Sequence, residues 1–318
     1  MLFIEMIGSQ GTPSPPANQM NDFIPNDGGN FLMDRSPPGQ QPAADPRKTV
    51  ATFVALAFLF SSVFWYLTVK TPPVAGNAAL LWRYTTALMW CPATAAVITR
   101  LLYQRNLKGF GIRPGKPIWL AAGVLIPVAA GLFMFGTGWL TGIAPFDPDS
   151  AAAILSVSFL PAFLVAIAFE CFAAAGEEFG WRGLLVPELA RFIGFTRLAL
   201  LSGAIWTAWH IPLILFGTYH GTGSVLYSLA VFVPSVMGAG LVIAWLRIIS
   251  GSIWVAVLFH GFWNFFIQQI YPAMTEMTDA GEMMLGEFGW FVAVFYVGLA
   301  LVFWHLRDRL PKLPAEGV

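Results

Sequence analysis

Charged residues are scarce, at 11% of the 318 positions, against about a quarter in soluble domains. That shortage excludes a soluble globule with one core. The few charges also balance, with 17 Lys and Arg against 17 Asp and Glu. No basic excess points to nucleic acid, and no acidic excess points to a basic partner. Cysteine is nearly absent: Cys91 and Cys171 both sit inside apolar runs, which excludes a disulfide framework. Before residue 47 no basic stretch leads into an apolar core, so a secretory signal is not expected there.

What remains is apolar surface, with 57% of residues hydrophobic and 15% aromatic. Eight runs approach the ~20 residues that a spanning helix requires. They lie at 49–69, 79–102, 117–140, 157–186, 197–216, 224–247, 252–271 and 288–306. The expected fold class is all-α, a polytopic membrane bundle of about eight helices. Pro92 and Pro212 predict kinks in the second and fifth runs, and Pro187 predicts a tilt or break late in the fourth. Residues 1–46, rich in Pro, Gly, Asn and Gln, read as a disordered tail in which Met20 and Met33 are candidate alternative starts. Residues 47–310 form the membrane domain, with its motif core at about 157–271. Residues 311–318 form a short cytoplasmic tail.

Basic residues mark alternate loops. Arg47 and Lys48 precede the first run, and Arg105, Lys108, Arg113 and Lys116 follow the second. Arg191 and Arg197 follow the fourth, Arg247 closes the sixth, and Arg307, Arg309 and Lys312 follow the eighth. The intervening loops hold only Lys70, and the one at 272–287 carries Glu276, Asp279, Glu282 and Glu287. By the positive-inside bias, both termini are cytoplasmic, and the compact loops suit a bacterial plasma membrane.

Inside the runs lie Arg83, Glu170, Glu177, Glu178 and Arg182, with Arg100 close enough to an end to snorkel. A charge at mid-bilayer costs ~2.5–3.5 kcal/mol on insertion scales, so several in one helix require a reason. His210 and His260 also fall within runs, whereas His220 and His305 lie in a loop and at a helix end. Glu177 is 14 residues from Arg191, His210 is 13 from Arg197, and His260 is 13 from Arg247. At 1.5 Å per residue each lies about 20 Å from one membrane face, so three helices place ionisable groups in one layer.

Spacing adds detail. Glu178 and Arg182 are i, i+4 and can pair, which leaves Glu177 without an intrahelical partner and pointing elsewhere. Glu170, seven residues earlier, extends the same face as a polar seam. His260 and Asn264 are also i, i+4, and Trp206 lies one turn before His210 as a wall against lipid. A lone Glu–Arg pair is often only a clamp between helices, and a lone buried His is usually structural. Their convergence in one layer favours a reaction or transport site.

Two chemistries fit. A carboxylate beside a neutral imidazole can deprotonate water for amide hydrolysis, with a second His and an amide stabilising the oxyanion. Alternatively, Glu177, His210 and His260 form a two-His, one-carboxylate zinc set assembled from three helices, since no HExxH is present. Either no cofactor or zinc is thus expected.

The ordered set "EEFGWR" (Glu177, Glu178, Arg182), Trp206 with His210, and "HGFWN" (His260, Asn264) resembles the CPBP family of intramembrane proteases. This family is also described as CAAX prenyl protease type II, Abi or lysostaphin-resistance-protein-A-like. "MWCPATAAVITRLL" and "SGSIWVAVLFHGFWN" resemble its neighbouring segments, so the likeness spans about residues 80–270. Trp206 stands where the family more often has Phe. The resemblance implies an eight-span bundle around a polar cavity open toward the cytoplasm. It implies that Glu177 activates water with help from His210, and that Glu178 and Arg182 support the site. His260 and Asn264 would hold the oxyanion. The implied activity is endopeptidase cleavage of a membrane-associated protein or peptide, of prenylated CAAX or bacteriocin type, with the lipid bilayer as the other partner. The alternatives are a proton-coupled transporter and a non-catalytic immunity or scaffold protein.

Overall fold

The computed structural model describes residues 44–314. The expected tail and alternative starts lie outside these residues, apart from the tail's last three positions. Among the described residues, eight helices are long and apolar enough to cross a membrane: α1 (Pro46–Lys70), α2 (Ala75–Tyr103), α3 (Pro117–Thr141), α4 (Val157–Leu189), α5 (Phe195–Phe216), α6 (Val225–Ser250), α7 (Ile253–Ala273) and α8 (Trp290–Arg309). Each bound falls within four residues of the hydropathy reading. Two short helices, Pro148–Ile154 and Asp279–Met284, sit in the loops. The chain is an integral, multi-pass, all-α membrane protein.

Local chemistry sets the helix ends. Pro46 opens α1 behind Asp45, whose carboxylate accepts the Arg47 N–H (2.9 Å). Ser224 and Ser252 cap α6 and α7 by accepting the N–H groups of Tyr227 (3.1 Å) and Trp254 (3.2 Å). Between those two helices the chain reverses in two residues. Gly251 makes this possible at φ 66°, a left-handed conformation that a side chain would strain. The short turn holds α6 and α7 side by side at the centre of the bundle. Their apolar windows are 72% and 67% buried, against 17% for α1.

Packing around that pair places the site-bearing helices. α7 lies against α3, α4 and α6, while α2 packs on α4, and α5 and α8 flank α6. α4 crosses α2 on Gly176 and Gly180, one turn apart. A Cβ on Gly176 would meet the Met89 carbonyl oxygen at 2.6 Å, and one on Gly180 would meet Pro92 Cβ at 2.5 Å. This small-residue contact brings the backbones together at the level of Glu177 and Glu178.

The expected break in α4 takes a specific form. Trp181–Leu185 is a π-helical turn, in which the Val186 N–H bonds Trp181 O, five residues back. Val186 would ordinarily bond Arg182 O, so that carbonyl is released. The fully buried Arg247 on α6 takes it, its Nε donating at 2.9 Å, and donates from Nη2 to Phe110 O at 3.3 Å. Arg247 is therefore an internal tie between helices rather than a loop marker, which removes one of the three rulers behind the depth estimate. A second π turn, Phe266–Ile270, interrupts α7 just after Asn264. In contrast, α2 and α5 run through Pro92 and Pro212 as single helices.

Candidate active site

Glu177, Trp206, His210, His260 and Asn264 line one cavity, although they come from three helices. At about 130 Å³ it exceeds many times the ~10–15 Å³ that one water requires. All five are largely buried, Glu177 at 2% exposure. Glu178 and Arg182 lie behind them and stay off the lining.

The Glu178–Arg182 pair forms as spacing predicts: Arg182 Nη1 donates to Glu178 Oε1 at 2.8 Å, with side chains 3% and 0% exposed. The same oxygen accepts His260 Nδ1–H at 2.9 Å. Since Nδ1 is committed to a carboxylate, the ring is oriented and its Nε2 is available to the cavity. His210 is fixed similarly. Its Nδ1 lies 2.9 Å from Trp206 O, and a carbonyl only accepts, so Nδ1 carries the proton and Nε2 the lone pair in the neutral ring.

Glu177 departs from the expectation that it has no intrahelical partner. Trp181, one turn on, donates its indole N–H to Glu177 Oε2 at 3.3 Å, and Trp206 of α5 donates to the same oxygen at 2.8 Å. Among the described residues Oε1 has no hydrogen-bond partner. Trp206 is thus a donor that aims the carboxylate as well as a wall. Its ring lies beside both imidazoles, with centroids 5.8 Å from His210 and 5.5 Å from His260, and the Arg182 guanidinium sits 4.1 Å above it. An indole can serve all these roles; the Phe more common at this motif position would supply the ring without the N–H.

Glu170 extends the polar seam only in part. It accepts from Gln269 Nε2 at 2.6 Å and lies off the cavity lining. Arg83 is exposed on α2, and His220 and His305 are exposed away from the site. Among the described residues, no three His, Cys, Asp or Glu side chains are grouped so as to hold a metal ion. Glu177, His210 and His260 are thus not drawn together as a ligand set, although Glu177 Oε1 and the two Nε2 atoms carry no hydrogen bond among the described residues.

Among the lining residues that escaped the sequence reading, Tyr219, Gln268 and Glu287 form a hydrogen-bonded group. Gln268 donates weakly to Asn264 Oδ1 (3.4 Å) and to Glu287 Oε2 (3.0 Å). Tyr219 donates to Glu287 Oε1 at 2.6 Å and stacks on His210 at 5.8 Å. Burial and the neighbouring carboxylate push the Tyr219 hydroxyl well above its ordinary pKa, so it remains a donor. Gln268 was within reach of sequence reasoning, being i+4 from Asn264. Tyr219 and Glu287 lie in loops that only the tertiary fold brings inward.

Those two loops also bear on the cavity's opening. They belong to the end of the bundle with the acidic 274–289 segment, while the basic loops at 104–116 and 190–194 and the turn at 251–252 contribute no lining residue. The lining thus runs toward the end opposite the one expected from the cytoplasmic-opening reading.

Sequence comparison agrees with this geometry. A profile described as type II CAAX prenyl endopeptidase, Rce1-like, matches residues 157–266, the stretch carrying every motif residue above. CAAX prenyl protease 2 of Methanococcus maripaludis is 30% identical over 161 residues, 49% of this chain. The aligned part covers 55% of that relative, so the chain spans about half its length. Over this core, with the three motifs in order around one cavity, the chain is similar to the type II CAAX prenyl endopeptidases.

Proposed function

We propose that the protein is an intramembrane endopeptidase that hydrolyses a peptide bond with a water activated by Glu177. The observation that carries this reading is the convergence of Glu177, His210, His260 and Asn264 on one cavity. A water beside Glu177 Oε1 gives up a proton to the carboxylate as it attacks the scissile carbonyl carbon, assisted by the lone pair on His210 Nε2. The two indole donors hold Oε2, so the carboxylate presents one defined oxygen. The new oxyanion is met by His260, acting as an Nε2–H donor, and by an N–H of the Asn264 amide. In that role His260 keeps its Nδ1–H on the Glu178 carboxylate at 2.9 Å. The C–N bond then breaks, and Glu177 returns its proton to the leaving nitrogen. No step in this sequence requires a metal. The substrate is a membrane-associated protein or peptide; a prenylated CAAX protein, as the relative's name indicates for that enzyme, is the leading class and a bacteriocin-type peptide the next. In the cell the chain sits in a bacterial plasma membrane with both termini cytoplasmic.

The test is digestion of prenylated CAAX peptides and a membrane-peptide library by purified protein in detergent, with products read by mass spectrometry. Cleavage by the wild type that is lost in His210→Ala and His260→Ala supports the assignment. Cleavage retained in both variants contradicts it.

A further inference from the structure

Among the described residues the cavity wall carries two carboxylates, Glu177 and Glu287, and the proposed hydrolysis uses only the first. Glu287 lies in the 274–289 loop and is turned inward, with neutral donors on both oxygens: the Tyr219 hydroxyl at 2.6 Å on Oε1 and the Gln268 amide at 3.0 Å on Oε2. The Trp263 indole lies within reach as a further donor. Burial raises its carboxyl above the usual range, and the converging donors oppose that rise. A partly buried anion also requires a counter-charge, and among the described residues no ion pair supplies one. Among the described residues no Lys or Arg pairs with Glu287, and the one cation-forming group that bears on it is His260, whose Nδ1 is engaged by Glu178. The same loop carries exposed Glu276, Asp279 and Glu282 and no basic residue. The way in is therefore biased toward positive charge.

We propose that Glu287 is a specificity-determining residue, forming with Tyr219 and Gln268 a subsite for a cationic group of the substrate, a lysine or arginine side chain or a free amine. The subsite deepens the endopeptidase reading and rests on it for the identity of the ligand as a peptide. The surrounding wall of Leu213, Phe232 and Trp263 suits the aliphatic stem of such a side chain. Tyr219 links the subsite to the reacting groups through its stacking on His210. A lysine seated on Glu287 would thus lie within a residue or two of the scissile bond.

A binding measurement separates this proposal from the proteolysis itself. The probes are n-octylammonium and its neutral counterpart n-octanol, titrated against the full-length protein in detergent with thermal stability as the readout. A charge-assisted hydrogen bond to a carboxylate predicts about tenfold tighter binding of the ammonium by the wild type. That preference disappears in Glu287→Gln and survives in Glu177→Gln. Equal binding of the two probes overturns the subsite, as does a preference that persists in Glu287→Gln. A preference lost only in Glu177→Gln assigns the cation to the water-activating carboxylate instead, which also overturns it. In active enzyme, a lysine-for-norleucine scan should find one position where lysine raises kcat/KM about tenfold. Glu287→Gln should bring the lysine-to-norleucine ratio of kcat/KM at that position to about one. If the wild type cleaves nothing but shows the Glu287-dependent ammonium preference, the hydrolytic reading fails and the subsite stands.

Discussion

The Glu178–Arg182 pair provides a quantitative test of how a bundle this apolar tolerates charge. Both side chains are almost fully buried, and Glu178 Oε1 serves Arg182 and His260 together. Breaking a buried pair by removing one partner costs about 3–5 kcal/mol, because a charge is left uncompensated. Arg182→Met should fall near the lower end, since His260 still neutralises Glu178. Glu178→Leu should fall near the upper end, since Arg182 then keeps the Trp206 ring, 4.1 Å away, and the field of Glu177, but loses its ion pair. Independent effects would sum to ~6–10 kcal/mol in the double variant. Replacing both by apolar residues of similar size removes the uncompensated charge, so the double variant should lie within ~1–2 kcal/mol of wild type. Unfolding titrations in mixed detergent micelles measure all four proteins. The double variant should be stable yet inactive, because His260 has lost the carboxylate that orients it. A double variant as unstable as the sum of the singles refutes the claim that these charges are tolerated through each other.

Other expectations follow from the same geometry. Trp206→Phe keeps the ring over which Arg182 sits but deletes the N–H that holds Glu177 Oε2; a lost hydrogen bond to a charged group, ~1.5–3 kcal/mol, should lower kcat/KM roughly 10- to 100-fold with little change in folded yield. Gly180→Leu should separate α2 from α4, since even a Cβ would meet Pro92 at 2.5 Å; disulfide cross-linking between cysteines introduced on the two helices reports the loss of contact. Burial raises the Glu287 carboxyl above its usual range. Its charged form is therefore lost at a higher pH than for an exposed glutamate, and the preference for lysine over norleucine should weaken as pH falls through that raised value. Tyr219, His210, His260 and Glu177 face the same cavity. The ratio between the two peptides, measured in wild type and Glu287→Gln, isolates the Glu287 contribution from theirs.

Hydropathy made the eight spans legible because backbone satisfaction in lipid leaves a continuous helix almost no alternative. Helical spacing made Glu178–Arg182 legible because i, i+4 neighbours meet whatever the tertiary fold. Tertiary contacts were hidden for the same reason in reverse. Nothing in the spacing of "WTAWH" tells that the Trp206 N–H crosses from α5 to Glu177, because an indole reads first as an apolar ring. Arg247 resembled a loop charge by position, and only the π turn that frees the Arg182 carbonyl explains its burial. Tyr219 and Glu287 were invisible because the folding-in of two loops is fixed by packing rather than by period. Their contribution turned the cavity's polar end toward the acidic side of the bundle.

The most direct measurement compares peptide cleavage by wild type and Glu177→Ala, each with and without a zinc chelator, after confirming that both proteins are folded. Cleavage that disappears in Glu177→Ala and is unchanged by chelation of the wild type is the predicted result. Cleavage that survives in Glu177→Ala, or is lost on chelation and restored by zinc, contradicts a glutamate-activated water.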